Sequence, residues 1–444
     1  MQGKIKVVVI GAGSSYTPEL VDGLIARRDE LPIGELCLVD IDEGWHKAEI
    51  IADLTRRMIA HAGLDTRVVL TRDRKSALAG ADFVCSQFRV GLLEARIRDE
   101  RIALKYGMLG QETNGLGGFT KAQRTIPVVL DICHEMEQLC PDAWLLNFTN
   151  PSGIVTEAIL RHSRVKAVGL CNVPVLMQKG IAKALDADEK DIVLQVSGLN
   201  HFIFARQVML HGEDMLPRVL ELFLEDNEAF NPKNIPHAPW PRKLLEQRRQ
   251  IPCPYHRYYF QSDDTYTHFV EEAAKEGTRG EVVKALEAKL FEIYANPALY
   301  SKPVELEGRG GQYYSDAACD LMSAIFNDKH VLMHVNVRNN GTIACLPDDC
   351  AIETTSLITR AGPLPLNVAR FDEDTEAQLV LMKAYERFTI DAAVTGSYQS
   401  ALRALNLNPL VKTGQILETA LDETLRENSR YLPQFKDYCA RHLQ

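Results

Sequence analysis

An α/β fold is the architecture this 444-residue sequence predicts, and three observations predict it. Short apolar runs alternate with stretches of helical periodicity through the first third of the chain. A Gly11-x-Gly13 turn follows the first apolar run, and an acidic residue, Asp40, closes the second. After about residue 195 the regular alternation gives way to a mixture of helices and strands. Residues 1–195 therefore read as a Rossmann-like, doubly wound parallel sheet, and residues 196–444 as a mixed α+β domain.

The elements follow in order. Residues 5–10 (IKVVVI) are a buried strand that ends at Gly11. Helical periodicity runs from about Pro18 to Arg28, since proline is tolerated in a first turn. Residues 35–40 form the second strand. A helix at 43–62, a strand at 67–70, a helix at 74–80 and a strand at 82–86 continue the alternation. Residues 144–147 and 165–168 are later strands, the second leading into Cys171. Beyond 195, segments 203–210 and 331–337 have strand character, while 281–295, 316–328 and 375–393 are helical. Prolines crowd residues 232–254, which reads as a loop or lid. Helices at 398–405 and 415–428 carry apolar faces suited to closing the core or meeting another subunit.

Composition narrows the function class. A net charge of −10 argues against a nucleic-acid surface, which needs a basic footprint, but leaves room for a local basic pocket. No apolar run approaches the roughly 20 residues that span a bilayer, and the N-terminus has no h-region of a signal peptide. None of the ten cysteines forms a C-x-x-C pair, so reduced thiols in a cytoplasmic protein are expected.

The glycine turn makes a dinucleotide the first ligand to consider. Gly11, Gly13, Ser14 and Ser15 are candidate cofactor contacts, because glycine lets backbone approach a pyrophosphate at a helix N-terminus. Tyr16 stands where the motif has its third glycine. Asp40 is placed to read a ribose hydroxyl, and its charge would repel a 2′-phosphate, so NAD is favoured over NADP.

Further segments go beyond a simple dehydrogenase. They are Phe88-Arg89-Val90-Gly91, Glu94-Ala95-Arg96, Gly110 to Gly115 (GQETNG), Asn147 to Pro151 (NFTNP), Cys171-Asn172-Val173-Pro174, Gly198-Leu199-Asn200-His201, Ile251 to Tyr259 and Gly308-Arg309-Gly310-Gly311. Taken in order, over nearly the whole chain, they resemble glycoside hydrolase family 4, and within it the 6-phospho-β-glucosidase branch.

The resemblance implies NAD, a divalent metal (usually manganese), and a route unlike the two-carboxylate scheme of most glycosidases. A hydride leaves carbon 3 of the sugar for NAD, a base takes the acidified proton on carbon 2, the aglycone is eliminated from carbon 1, water adds, and the hydride returns. Carried over by position, Cys171 and His201 are the metal ligands and Tyr255 is the base. Arg96, Asn150, Asn172 and Arg279 are substrate contacts, the arginines suiting a phosphate. Asn172 stands where α-specific members carry aspartate, which points to β-linked substrates. Thr278 stands where some β-specific relatives have an aspartate, so that helper role does not carry over.

A metal-site thiolate at Cys171 is expected to be exposed and prone to oxidation. The second domain is assigned to substrate binding and oligomerisation. The resemblance further implies a cytoplasmic homodimer or homotetramer acting on a phosphorylated disaccharide or aryl glucoside, with no nucleic-acid or membrane partner. The competing reading is a lactate- or malate-type 2-hydroxyacid dehydrogenase, which would leave Cys171 and Tyr255 without a task.

Overall fold

The computed structural model describes residues 3–226, 240–309 and 313–443. Among these, thirteen strands join one sheet. They are β1 (Ile5–Ile10), β2 (Ile33–Val39), β3 (Arg67–Thr71), β4 (Phe83–Ser86), β5 (Trp144–Asn147), β6 (Lys166–Gly169), β7 (Ile192–Leu199), β8 (Phe202–Leu210), β9 (Glu213–Asp214), β10 (Ile251–Pro252), β11 (Val331–Arg338), β12 (Ala351–Thr359) and β13 (Gly362–Pro365).

The first six run parallel in the order β3-β2-β1-β4-β5-β6, the doubly wound arrangement. Their apolar runs suit strands covered by helices on both faces, and Val7, Val8 and Val9 of β1 are fully buried. Five strands then extend the sheet antiparallel in the order β11-β12-β7-β8-β10. The junction is the pairing of Asn336 in β11 with Gly169 in β6. Two strands from late in the chain, β11 and β12, are thus wedged between β6 and β7.

Three details go beyond the sequence reading. Residue 195 lies inside β7, at a register shift between Gln195 and Val196, and the later strands add to the same sheet. Of the proline-rich stretch, residues 232–239 lie outside the described residues. The remainder is not all loop: Arg242–Arg248 is helical, and β10 pairs with β8. Two long helices, Leu92–Lys105 and Gly115–Leu139, occupy the space between β4 and β5. The second even contains Pro127.

Candidate active site

A cavity of about 870 Å³ opens at the carboxyl ends of the parallel strands, where ligands bind in open α/β sheets. Its floor is the loop after β1. Gly11 has φ +86°, and a Cβ there would lie 2.7 Å from the Phe88 Cα, so no other residue fits without displacement. Asp40 shapes the same loop. Its Oδ2 accepts from the Gly13 N–H at 2.5 Å and its Oδ1 from the Ile41 N–H at 2.8 Å. Burial pushes this carboxyl above its usual range, against those two donors.

Ser14 lines the cavity, but Ser15 does not. Ser15 is fully buried, its hydroxyl donates to Glu287 at 3.1 Å, and its carbonyl accepts from the Tyr294 hydroxyl at 2.8 Å. Tyr16, in place of the third glycine, faces the cavity, with the Arg309 guanidinium 4.2 Å from its ring centre.

The far end of the cavity is basic. Glu112 pairs with Arg89 at 2.6 Å, Arg96 at 3.3 Å and Lys121 at 3.3 Å. Burial alone would raise its carboxyl, but the three cations together hold it well below the usual range. Arg96 also donates to Glu100 at 2.7 Å, and the other oxygen of Glu100 accepts from the Gly280 N–H at 2.7 Å. That carboxylate ties the helix of Arg96 to the start of the helix Arg279–Tyr294. Arg279 lines the same cavity, and burial, with Arg96 and Arg309 as like-charged neighbours, lowers its affinity for a proton. Burial and Arg89 depress Lys121 to about 7, despite Glu112. A pocket with this excess of cations favours a multiply charged anion. Asn150 and Asn172 line it as well.

The two candidate metal ligands come from opposite sides of the wedge. Cys171 follows β6, and His201 sits in the tight turn between β7 and β8 with φ +62°. Glu353 in β12, opposite Asn336, links them. It accepts from Asn336 at 3.0 Å and from Asn200 at 3.3 Å, and Asn200 in turn reaches the Cys171 thiol. Burial raises Glu353 to about 8.

His201 is held neutral by burial, its imidazolium forming only near 3, which leaves ring nitrogens suited to a cation. Cys171 is 6 % exposed, and burial, with Glu353 nearby, pushes its thiol well up. The expectation of an exposed sulfur is therefore corrected: Cys171 is buried behind the strand end. Tyr255 stacks on His201 with ring centres 3.8 Å apart and opens onto the cavity. Burial, then Tyr258 and Cys171, raise its phenol well above the ordinary value. One thiol, one neutral imidazole and a phenol that needs a cation beside it fit a divalent ion that completes its shell with substrate oxygens. Among the described residues no cluster of three or more His, Cys, Asp or Glu side chains surrounds a metal position.

Glu112, Lys121, Arg89, Arg309 and Glu353 were not singled out from sequence. The first, third and fourth lie in segments that stood out there; Lys121 and Glu353 carry no local signal, being placed by a long helix and by a distant strand. Gly310 and Gly311 lie outside the described residues.

A family model described as family 4 glycosyl hydrolase matches residues 6–187, and one for the C-terminal domain of that family matches residues 196–411. A probable 6-phospho-beta-glucosidase of Bacillus subtilis is 51 % identical over 97 % of this chain and 98 % of its own. A 6-phospho-beta-glucosidase of Escherichia coli is 43 % identical over 99 % of both. Among solved structures, a 6-phospho-beta glucosidase of Thermotoga maritima with manganese, NAD+ and glucose-6-phosphate superposes with a TM-score of 0.86 at 33 % identity, over 96 % of this chain and 99 % of that one.

Proposed function

Because this chain belongs to glycosyl hydrolase family 4, we infer that it cleaves 6-phospho-β-glucosides with NAD and a divalent metal, manganese above all. It is a 6-phospho-β-glucosidase. The observation that carries the reading is one continuous cavity. It joins a dinucleotide cradle at Gly11, Gly13 and Asp40 to a cationic pocket at Arg96 and Arg279, with Tyr255 on its wall.

When bound, NAD supplies an acceptor, and later a donor, for the hydride of sugar carbon 3, and the divalent ion supplies a Lewis acid for the oxygens on carbons 2 and 3. The residue roles are our proposal. Arg96 and Arg279 fork onto the 6-phosphate, which relieves their mutual repulsion. Asn150 and Asn172 orient sugar hydroxyls. Cys171 and His201 hold the ion, with Asn200 and Glu353 steadying the thiol. Tyr255 removes the proton on carbon 2, acidified by the neighbouring ketone; the aglycone oxygen then leaves carbon 1 and water adds there. An amide at Asn172 cannot protonate that oxygen, so water serves the leaving group.

Residues 1–195 contribute the NAD cradle, Arg96, Asn150, Cys171 and Asn172, while 196–444 contribute His201, Tyr255 and Arg279. The substrate is a phosphorylated sugar. No helix among the described residues is long and apolar enough to cross a membrane. A cytoplasmic homodimer or homotetramer is our finer reading. Its support is a row of leucines, Leu332, Leu357 and Leu364, paired across three strands, with Leu332 and Leu364 exposed.

The dehydrogenase alternative would release NADH and ignore chelators. Hydrolysis of an aryl β-glucoside 6-phosphate in heavy water, with NAD and manganese, separates the two. Deuterium at carbon 2 of the glucose 6-phosphate formed supports oxidation and elimination. Hydrolysis that leaves that carbon free of deuterium, with a label-exchange control, refutes Tyr255 as a solvent-equilibrated base.

A further inference from the structure

The C-terminal turn Ser429–Tyr431 lies on the nucleotide groove although neither family model extends past residue 411. Arg430 and Tyr431 both line the cavity. Arg430 forms an ion pair at 3.1 Å with Glu43, which follows β2 on the Asp40 side of the groove. The Tyr431 ring lies against Gly91, in the loop after β4 on the opposite side; a Cβ on Gly91, at φ +81°, would stand 3.1 Å from Tyr431 Cε2. In the sheet order β2-β1-β4 these contacts flank β1, whose glycine loop is the pyrophosphate cradle. The turn therefore touches both banks of the groove above that loop.

Its root is buried while its tip is exposed. Asn428, fully buried, accepts from Arg98 at 2.8 Å and Arg124 at 2.9 Å, donates to Asp99 at 3.3 Å, and its carbonyl accepts from the Tyr431 N–H at 2.8 Å. The side chains of Arg430 and Glu43 are by contrast 72 % and 51 % exposed, so their pair can part without unfolding anything. We propose that this turn is a strap over the bound dinucleotide, latched by Arg430–Glu43, that retains NAD between turnovers. The idea rests on the NAD-dependent reading above and on its chemistry. A dehydrogenase must exchange its cofactor in every cycle, whereas an enzyme that returns the hydride ends each cycle with NAD oxidised and in place. Slow release carries no turnover penalty here.

The test is calorimetric NAD binding and stopped-flow NAD release on the full-length protein. The variants are Glu43→Arg, Arg430→Glu, the charge-swapped double variant, and Lys436→Ala as a control on the same segment away from the cavity. Each single reversal should weaken NAD about three- to ten-fold, mostly through faster release, as loss of an exposed pair and the added repulsion allow. The swap should recover affinity to within about two-fold of wild type, and Lys436→Ala should match wild type. Unchanged affinity in the single variants overturns the strap. So does a swap that fails to recover, which would mean that the charges act on the nucleotide itself, or a Lys436→Ala loss as large as the others. Failure of the wild type to bind NAD would instead overturn the functional reading beneath it.

Discussion

Tyr255 lies flat against His201, with ring centres 3.8 Å apart and planes 13° from parallel. Stacking fixes the phenol beside the very imidazole proposed to hold the ion. The same burial that raises the phenol's pKa ensures that a cation placed there acts through little intervening water.

Removing only that oxygen should therefore separate chemistry from binding. Tyr255→Phe keeps the stacked ring, so thermal stability and NAD binding should stay near wild type. The kcat should fall by about 10²–10⁴, the usual contribution of a positioned base. Steady-state kinetics and solvent exchange at carbon 2 check this; undiminished exchange would remove Tyr255 from the mechanism.

Metal removal gives a second test. Chelation should abolish hydrolysis and manganese should restore it. His201→Ala should bind manganese at least about 10-fold more weakly, since one of two protein ligands is lost. Electron paramagnetic resonance of free manganese reads the affinity without relying on turnover.

The basic pocket should be specific for phosphate. Arg279→Ala, and separately Arg96→Gln, should raise KM for the phosphorylated substrate by about 10- to 100-fold, the worth of one charged hydrogen bond of about 1.5–3 kcal/mol. Arg96→Gln also strips a partner from buried Glu100 and half-buried Glu112, so it should lower the melting temperature, whereas Arg279→Ala should not. Equal effects on KM for an unphosphorylated glucoside would argue against a phosphate role.

Lys121 predicts a pH dependence of stability. Its pKa is depressed from 10.5 to about 7, by burial and by Arg89 and Arg96, with Glu112 opposing. Between those two values the unfolded chain holds a proton that the folded chain lacks, so the destabilising cost of this lysine is full below about 7 and is relieved as pH rises towards 10.5. Wild type compared with Lys121→Met in urea denaturation should gain roughly 2 kcal/mol of relative stability from pH 7 to pH 9. No change in that difference would mean that Lys121 keeps an ordinary pKa.

The parallel half of the fold was legible because its strands are short apolar runs in regular alternation with helical periodicity. The cofactor loop was equally plain, since Gly11, Gly13 and Asp40 act within one βαβ unit. The helices Leu92–Lys105 and Gly115–Leu139 were hidden for opposite reasons. The first is dense in charge that turns out to be paired inward, through Arg96, Asp99 and Glu100. The second opens on three glycines and carries a proline, signals that usually mark loops.

The site's supporting residues were illegible for a different reason. Nothing near Glu353 marks it locally, because its role comes from its bond to Asn200, 153 residues away; Lys121 pairs with Glu112 close by, but the long helix that carries it was itself hidden. Local periodicity identifies β11 as a strand but cannot say that it docks on β6 through the single pairing of Asn336 with Gly169.

That wedge has a consequence for biosynthesis. β11 and β12 separate the strand leading to Cys171 from the hairpin bearing His201, so the two residues reach their mutual positions only once Thr359 has been made. A nascent chain halted at residue 300 contains all six parallel strands but neither strand of the wedge that sets the two proposed ligands in register. The proposed ion site thus depends on strands that are translated well after both of its ligands.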